Sequence, residues 1–468
     1  MKKVGIVICT WNKKEYILNC IESVLNSTYK NYDIYVVDNA STDGAPEEIL
    51  ERYQGRLTLI QKTENTGGAD GFHWGIQAAL KKDYDYLWLL DNDILVDSNA
   101  LFHLVDYLNQ HSQVAAVGSK LLYMENPDRV QYLNTEIDMD NFTITKYLAN
   151  SEDNSDLPIE IETDVIPACS MLIKTEMLVK YGDMDPEYFI YMDDSDMGFQ
   201  FILNGYKLMI YTPSIVFHKR GALDRTTTFS DYYSRRNTLY FFLKYIRYDQ
   251  IYSFAEYIID QSFKEFYFGT YNNRFEVVLT RQFALEDMLN GVRGRAVDGR
   301  IQELPIQIPR AQIIIEKNYQ FLVIGSDLKA SSDIITMIKN KYPDKVVDVI
   351  LDDENEDAAI FVDKMKSINI LSANDFVPGR YDLIIQTCKH VLDYKLCNGE
   401  IIPHVYVDRY SNVIENEQDK QYMDSYERVY SNYKTINLPI LVDRLQRRKF
   451  EIDSQIALKK RDRVESLV

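Results

Sequence analysis

At 468 residues the chain is too long for one ordinary hydrophobic core and calls for two or three domains. With 46% hydrophobic and 12% aromatic residues it can bury a substantial interior, which excludes a disordered chain. A formal net charge of −19 argues against nucleic acid as the main partner, because phosphate contacts need a basic face.

Taken in order, the first hundred residues alternate strand and helix patterns. Val4 to Cys9 is a short β-branched run and reads as a strand. Lys14 to Leu25 places Ile17, Ile21, Val24 and Leu25 at helical spacing. Tyr32 to Val37 is a second strand, followed by the turn-rich Asp38-Asn39-Ala40-Ser41-Thr42-Asp43-Gly44. Leu57 to Gln61 reads as a third strand, Gly71 to Lys81 as a helix and Tyr86 to Leu90 as a fourth strand. This order predicts an α/β fold with a mostly parallel sheet, and ligands of such sheets bind at the carboxyl ends of the strands. Residues 112 to 225 continue as mixed α/β. From Phe229 to about Met288 the chain reads as helical and aromatic-rich, and residues 289 to 310 read as a polar linker with three glycines and two prolines. A second, smaller α/β unit begins at about residue 311, with strands at Phe321 to Ile324, Val346 to Leu351 and Tyr381 to Gln386. The expected domains are therefore 1–228, 229–310 and 311–468.

The five cysteines have no CxxC spacing, and Cys9, Cys20 and Cys169 lie in apolar stretches. They read as small core residues of a reduced, cytoplasmic protein. The N-terminus lacks a signal-peptide pattern, and no run reaches the roughly 18 apolar residues that span a bilayer. The expected location is the cytoplasm, with at most peripheral contact at the inner face of the membrane.

Five constellations carry chemistry. Asp38, at a strand end, offers a carboxylate to the imide N–H of uracil or thymine, or simply caps a turn. Thr10, Trp11 and Asn12 follow the first strand and would lie beside it, against base or ribose. Asn65-Thr66-Gly67-Gly68-Ala69-Asp70-Gly71 lets backbone approach a ligand and aims the following helix at it; an ordinary loop is the alternative. Asp91-Asn92-Asp93 directly follows an apolar strand, and paired carboxylates there suit Mg²⁺ or Mn²⁺ bridging to a diphosphate. The acidic run Asp193-Asp194-Ser195-Asp196 either caps a helix or supplies a general base. His218, at the end of Tyr211 to Phe217, is either structural or a metal ligand beside Asp93.

In order and spacing these pieces resemble the family 2 glycosyltransferases of the GT-A fold, the Rossmann-like mixed sheet of nucleotide-diphospho-sugar transferases. The resemblance covers Lys3 to about Arg225, with a helical extension and a smaller C-terminal α/β domain beyond it. NTGGADGF, MDDSDMGF and Tyr232-Tyr233-Ser234-Arg235-Arg236-Asn237 tilt it toward bacterial galactofuranosyl- and rhamnosyltransferases of cell-surface polysaccharide synthesis. It implies Asp38 as the base-binding carboxylate, with Thr10, Asn12, Asn65, Gly67, Gly68, Trp74 and Asp91 on the donor. It implies Asp93, Asp91 and His218 as metal ligands. It implies Asp194 as the catalytic base, with Asp193 beside it. The expected activity is inverting, metal-dependent transfer from a UDP- or dTDP-sugar to a glycan or lipid-linked saccharide. The QxxRW motif of processive members is absent after the acidic pair. Two other readings stand: a nucleotide-sugar-binding module without turnover, and a sugar nucleotidyltransferase.

Lys219, Arg220, Arg225, Arg235, Arg236, Lys244 and Arg247 fall close together and are read either as a basic surface for a lipid diphosphate or anionic membrane, or as one face of a packed helix. The C-terminal unit has one glycine after its first strand, in Ile324-Gly325-Ser326-Asp327, too few for a dinucleotide site. It reads as an assembly or acceptor-positioning module, with a second transferase domain as the alternative. A homo-oligomer is left open by the sequence.

Overall fold

The computed structural model describes residues 1–219, 226–305, 310–351, 368–397 and 401–465, with side chains to 459. Two compact units emerge: Met1–Tyr257 with Leu279–Glu303 and Val442–Val468, and Ile258–Val278 with Leu304–Leu441.

Among the described residues the first unit is built on a nine-stranded sheet. Strands β1 (Val4–Thr10), β2 (Tyr32–Asp38), β3 (Thr58–Gln61) and β4 (Tyr86–Asp91) pair in parallel, in the order β3-β2-β1-β4. Between them run α1 (Lys14–Leu25), α2 (Ala45–Tyr53) and α3 (Gly68–Ala79). After β5 (Ile94–Val96), α4 (Ala100–Gln110), β6 (Val114–Tyr123), the hairpin β7 (Asn134–Asp138) and β8 (Thr143–Tyr147), and β9 (Glu160–Glu162), the chain returns as β10 (Ser170–Lys174). Strand β10 lies antiparallel between β4 and β6, so the sheet is mixed. Helices α5 (Thr175–Tyr181) and α6 (Asp193–Leu203) lead to β11 (Lys207–His218), which pairs with β6, β5 and β9.

Both faces of this sheet are covered. Along β4, Tyr86, Trp88 and Leu90 enter one core while Leu87 and Leu89 enter the other, the two-residue alternation of a strand buried on both sides. Register then decides what meets at the sheet edge. Thr10 stands opposite Asp38, and Cys9 opposite Asp91. His218 pairs with Ile94, one residue past Asp93.

Three helices follow: α7 (Phe229–Tyr245), α8 (Ile251–Tyr271) and α9 (Phe275–Leu289). Helix α7 corrects the basic-surface reading. Arg236 is 2% exposed, and Lys244 donates to both carboxylate oxygens of Asp196 at 2.7 Å. The exposed Arg247 pairs with Asp249, and the Lys219 ammonium meets the Tyr16 hydroxyl. Buried residues surround α7 on all sides, so its cations turn inward to acids and carbonyls instead of forming one patch. Arg220 and Arg225 lie outside the described residues.

In the second unit, β12 (Phe321–Gly325), β13 (Val347–Leu351), β14 (Ile368–Ile370), β15 (Leu383–Cys388) and β16 (Val405–Asp408) run parallel in the order β14-β13-β12-β15-β16, with a short antiparallel β17 (Val413–Ile414). Asp327 caps the helix Leu328–Lys341, accepting from the Ala330 amide at 2.9 Å, and pairs with Arg409. That helix N-terminus is therefore filled by the protein's own carboxylate. Among the described residues no helix is long and apolar enough to cross a membrane.

Candidate active site

The carboxyl ends of β1 and β4 open into a cavity of about 590 Å³. Cys9, Thr10 and Trp11 line it from β1, Asp91 and Asn92 from β4, and Asn65, Gly67 and Gly68 from the glycine loop. Thr10 is buried and accepts from the Asn92 side-chain amide at 2.8 Å, which ties the two strand ends together. Asn39 staples the glycine loop: its amide nitrogen donates to the Gly67 carbonyl at 2.8 Å and to Asn65 Oδ1 at 3.1 Å, and its oxygen accepts from the Thr66 amide at 3.2 Å.

The glycine at 67 has a steric cause. Its φ is +90°, and a Cβ there would overlap the Phe189 carbonyl. The Ala69 amide already donates to that carbonyl at 3.1 Å. The first turn of α3 is thus partly committed to the protein, and Gly68, with no atom within 4 Å of where a Cβ would stand, is the position left open.

An acidic cluster adjoins the cavity. One ligand atom from each of Asp91, Asp93 and His218 lies within 4.8 Å of the others. His218 Nε2 is 3.4 Å from Asp93 Oδ1, and its Nδ1 faces Gln131 Oε1 at 2.9 Å, which fixes the ring. Two carboxylates and an oriented imidazole at this spacing fit a divalent cation with hard-ligand preference. The free carboxylates are strained electrostatically. Burial, then the Asp93 charge, raises Asp91 to about 7. Burial, then Asp194, raises Asp193 to about 8. Asp194 is raised by burial too, but the amides of Ala168 at 3.2 Å and Ser195 at 2.6 Å hold its charge back. Burial would lower His218, yet its contact with Asp93 and the Asp91 charge leave it raised.

Other expected positions fall differently. Asn12 does not line the cavity; its side-chain oxygen accepts from the Thr42 amide at 2.7 Å, so it serves the β2–α2 turn. Trp74 is 51% exposed and also outside the cavity lining, with the Lys62 ammonium over its ring. It stands two residues from Phe72 on α3, about 200° around the helix, so it cannot share the face that lines the cavity. Asp38 is buried just behind the lining. One oxygen accepts from the Ser41 amide at 3.1 Å and the other, Oδ1, has no hydrogen-bond partner.

The glycosyl transferase family 2 model matches residues 5–175. Residues 5–175 are thus similar to the glycosyl transferase family 2 domain. The glycosyltransferase GlyG of Streptococcus pneumoniae serotype 4 is 22% identical over 229 residues, 48% of this chain and 73% of that protein. An uncharacterized glycosyltransferase of Rickettsia typhi is 27% identical over 42% of this chain and 58% of its own length. The poly(ribitol-phosphate) beta-N-acetylglucosaminyltransferase TarP of Staphylococcus aureus is 30% identical over 25% of this chain, which spans only 36% of TarP. Among solved structures, GalNAc-T7 with UDP, GalNAc and Mn²⁺ is similar at a TM-score of 0.46 and 15% identity, over 56% of this chain and 51% of its own. TarS 1–349 of S. aureus with UDP-GlcNAc follows at 0.41 and 14%, over 62% and 81%.

Asp193 and Asp194 open α6 directly after a strained loop. Phe189, Tyr191 and Met192 have φ of +68°, +65° and +70°, each costing about 1–3 kcal/mol for a side-chain-bearing residue. Helix α7 holds this loop. The buried Asn237 amide donates to the carbonyls of Tyr188, Ile190 and Tyr191 at 2.9, 2.7 and 3.1 Å. The Arg236 guanidinium donates to the Tyr188 carbonyl at 3.2 Å and, from its other nitrogen, to the Gly294 carbonyl at 2.8 Å. Sequence reasoning could match Arg236 and Asn237 only as part of a resemblance, because the carbonyls they serve are distant in the chain. Replacing Asn237 with Ala should cost about 2–4 kcal/mol, since the part-buried Ile190 and Tyr191 carbonyls lose this donor and Tyr188 keeps only that of Arg236. Thermal unfolding would register it as a lowered midpoint; an unchanged midpoint would refute the anchoring role.

Proposed function

We propose that this protein is a metal-dependent, inverting glycosyltransferase that moves a sugar from a UDP- or dTDP-sugar to a hydroxyl of a glycan or lipid-linked saccharide. The observation that carries the reading is the cluster of Asp91, Asp93 and His218 beside a cavity at the carboxyl edge of the sheet, close enough to Asp193 and Asp194 for their charges to act on one another. Asp38 supports a uracil or thymine base, because its Oδ1 is an acceptor without a donor. Asp91, Asp93 and His218 would hold the cation, which when bound would neutralise charge on the departing diphosphate.

The protein's own groups do the rest. Asp194 removes the proton from the acceptor hydroxyl. The freed oxygen attacks the anomeric carbon from the face opposite the diphosphate, the bond from that carbon to the diphosphate oxygen breaks, and the configuration inverts. Galactofuranose and rhamnose are the favoured sugars, on the NTGGADGF and MDDSDMGF segments. A role in cell-surface polysaccharide synthesis draws support from the similarity to TarP, whose name gives poly(ribitol-phosphate) as acceptor. We take 1–228 as the catalytic domain, 229–310 as its helical extension and 311–468 as a separate α/β domain.

The test is a donor screen of purified protein with UDP- and dTDP-sugars, UDP-galactofuranose and dTDP-rhamnose included, read as nucleoside diphosphate release with and without Mn²⁺. Release from one donor, dependent on the ion, is expected. Binding without release would favour a non-catalytic module, and release of pyrophosphate from a nucleoside triphosphate and a sugar phosphate would favour a nucleotidyltransferase.

A further inference from the structure

The stretch that reads as a linker forms part of the cavity wall. Arg295, Ala296, Val297, Asp298, Gly299 and Ile301 all line it, opposite the strand ends and the glycine loop. This strap is fastened at both ends. On one side the Gly294 amide donates to the Glu187 carbonyl at 2.6 Å, and the Ala296 amide donates to the Tyr233 hydroxyl at 2.8 Å. On the other side Arg300 pairs with Asp287 at 3.0 Å, and the Gln302 amide donates to Thr228 Oγ1 at 2.9 Å.

Three arginines lie in this strap, and two of them are occupied. Arg293 meets Asp185 at 2.9 Å and Arg300 meets Asp287. Arg295 is exposed and makes no hydrogen bond or ion pair with a described residue. Its neighbours on either side are pinned, so its backbone position is set while its guanidinium is left uncommitted in the cavity. The other charged groups lining that space are Lys13, Asp91 and Asp298. A guanidinium on a pinned backbone, with no hydrogen-bond or ion-pair partner among the described residues and lining a chamber beside a glycine loop, has the chemistry of an anion clamp.

We propose that Arg295 binds the diphosphate of the nucleotide donor, so that the strap is a specificity element for nucleoside diphosphates over nucleosides. This rests on the proposed transferase reading. A guanidinium–phosphate contact of this kind corresponds to about a 10- to 100-fold change in affinity.

The experiment compares wild type, Arg295→Gln and Arg295→Lys by calorimetry with UDP, dTDP and uridine in the presence of Mn²⁺, alongside thermal unfolding. The expected result is a loss of about 10- to 100-fold for the diphosphate that binds wild type in Arg295→Gln. Arg295→Lys should recover part of it. Uridine affinity and the thermal midpoint should stay unchanged, because Arg295 makes no hydrogen bond or ion pair among the described residues. Diphosphate affinity within twofold of wild type in Arg295→Gln, or an equal loss for uridine, would overturn the assignment while leaving the transferase reading intact. A wild-type protein that binds neither diphosphate and releases none from any sugar nucleotide would overturn the transferase reading and this one with it.

Discussion

Asp194→Asn should leave donor affinity within a few-fold of wild type and reduce sugar transfer by about 10²- to 10⁴-fold. The substitution keeps size and shape. Asparagine retains one oxygen to accept from the Ser195 amide or the Ala168 amide, so the head of α6 should hold its place. What disappears is the carboxylate that takes the acceptor proton. The pH profile gives an independent reading. Burial raises Asp194, so the wild-type rate should climb with pH along an acid limb placed above the ordinary carboxylate range. In the variant that limb should vanish with the rate. Turnover near wild type, or an unaltered acid limb, would shift the role to Asp193 or away from the pair altogether.

Mn²⁺ binding to the free protein should release protons near pH 6.5 and tighten steeply between about pH 6 and 8. Asp91 titrates at about 7 in the free site, chiefly through burial, and His218 is raised above its ordinary value, so both carry protons that an ion must displace. The sign for stability follows from the same shift. The unfolded chain gives up the Asp91 proton near pH 4 while the folded protein retains it to about 7. The metal-free protein therefore loses stability as pH rises across that interval, and the loss is constant above it. Calorimetry in two buffers of different ionisation enthalpy measures the released protons directly. Asp93→Asn should weaken Mn²⁺ by at least about 100-fold, beyond what loss of an outer-shell partner costs. Heats that do not depend on the buffer, together with full affinity in Asp93→Asn, would remove the ion from this site.

The first four strands were legible because their runs are short, β-branched or apolar and end in turn residues; Val4–Thr10 and Tyr86–Asp91 each extend one residue past the expected end. Helix α1 falls on Lys14–Leu25 as expected. Helix α3 begins at Gly68, three residues before the expected start. Glycine and aspartate are weak helix formers, and only the close packing of α3 against β1 and the Phe189 carbonyl explains small residues there. The acidic cluster was legible from strand ends alone, because parallel pairing puts those ends on one edge. Trp74 failed for a different reason: proximity in sequence to the glycine loop says nothing about which side of a helix a residue takes. The wall formed by Arg295 to Ile301 was hidden behind a composition that reads as linker, since glycine and polar residues carry no periodicity whether they float or are pinned.

The glycine loop, Asp91 and the strap meet in one chamber although the chain supplies its walls from residue 9 to residue 301. The family match stops at 175, before Asp194, His218, Asn237 and Arg295. Cutting the gene at the edge of the recognised domain would thus remove the proposed base Asp194, the His218 imidazole and the strap wall. The smallest exportable catalytic part is set by the closing of that chamber, and a chimera that borrows this protein's specificity must carry the strap along with the strands.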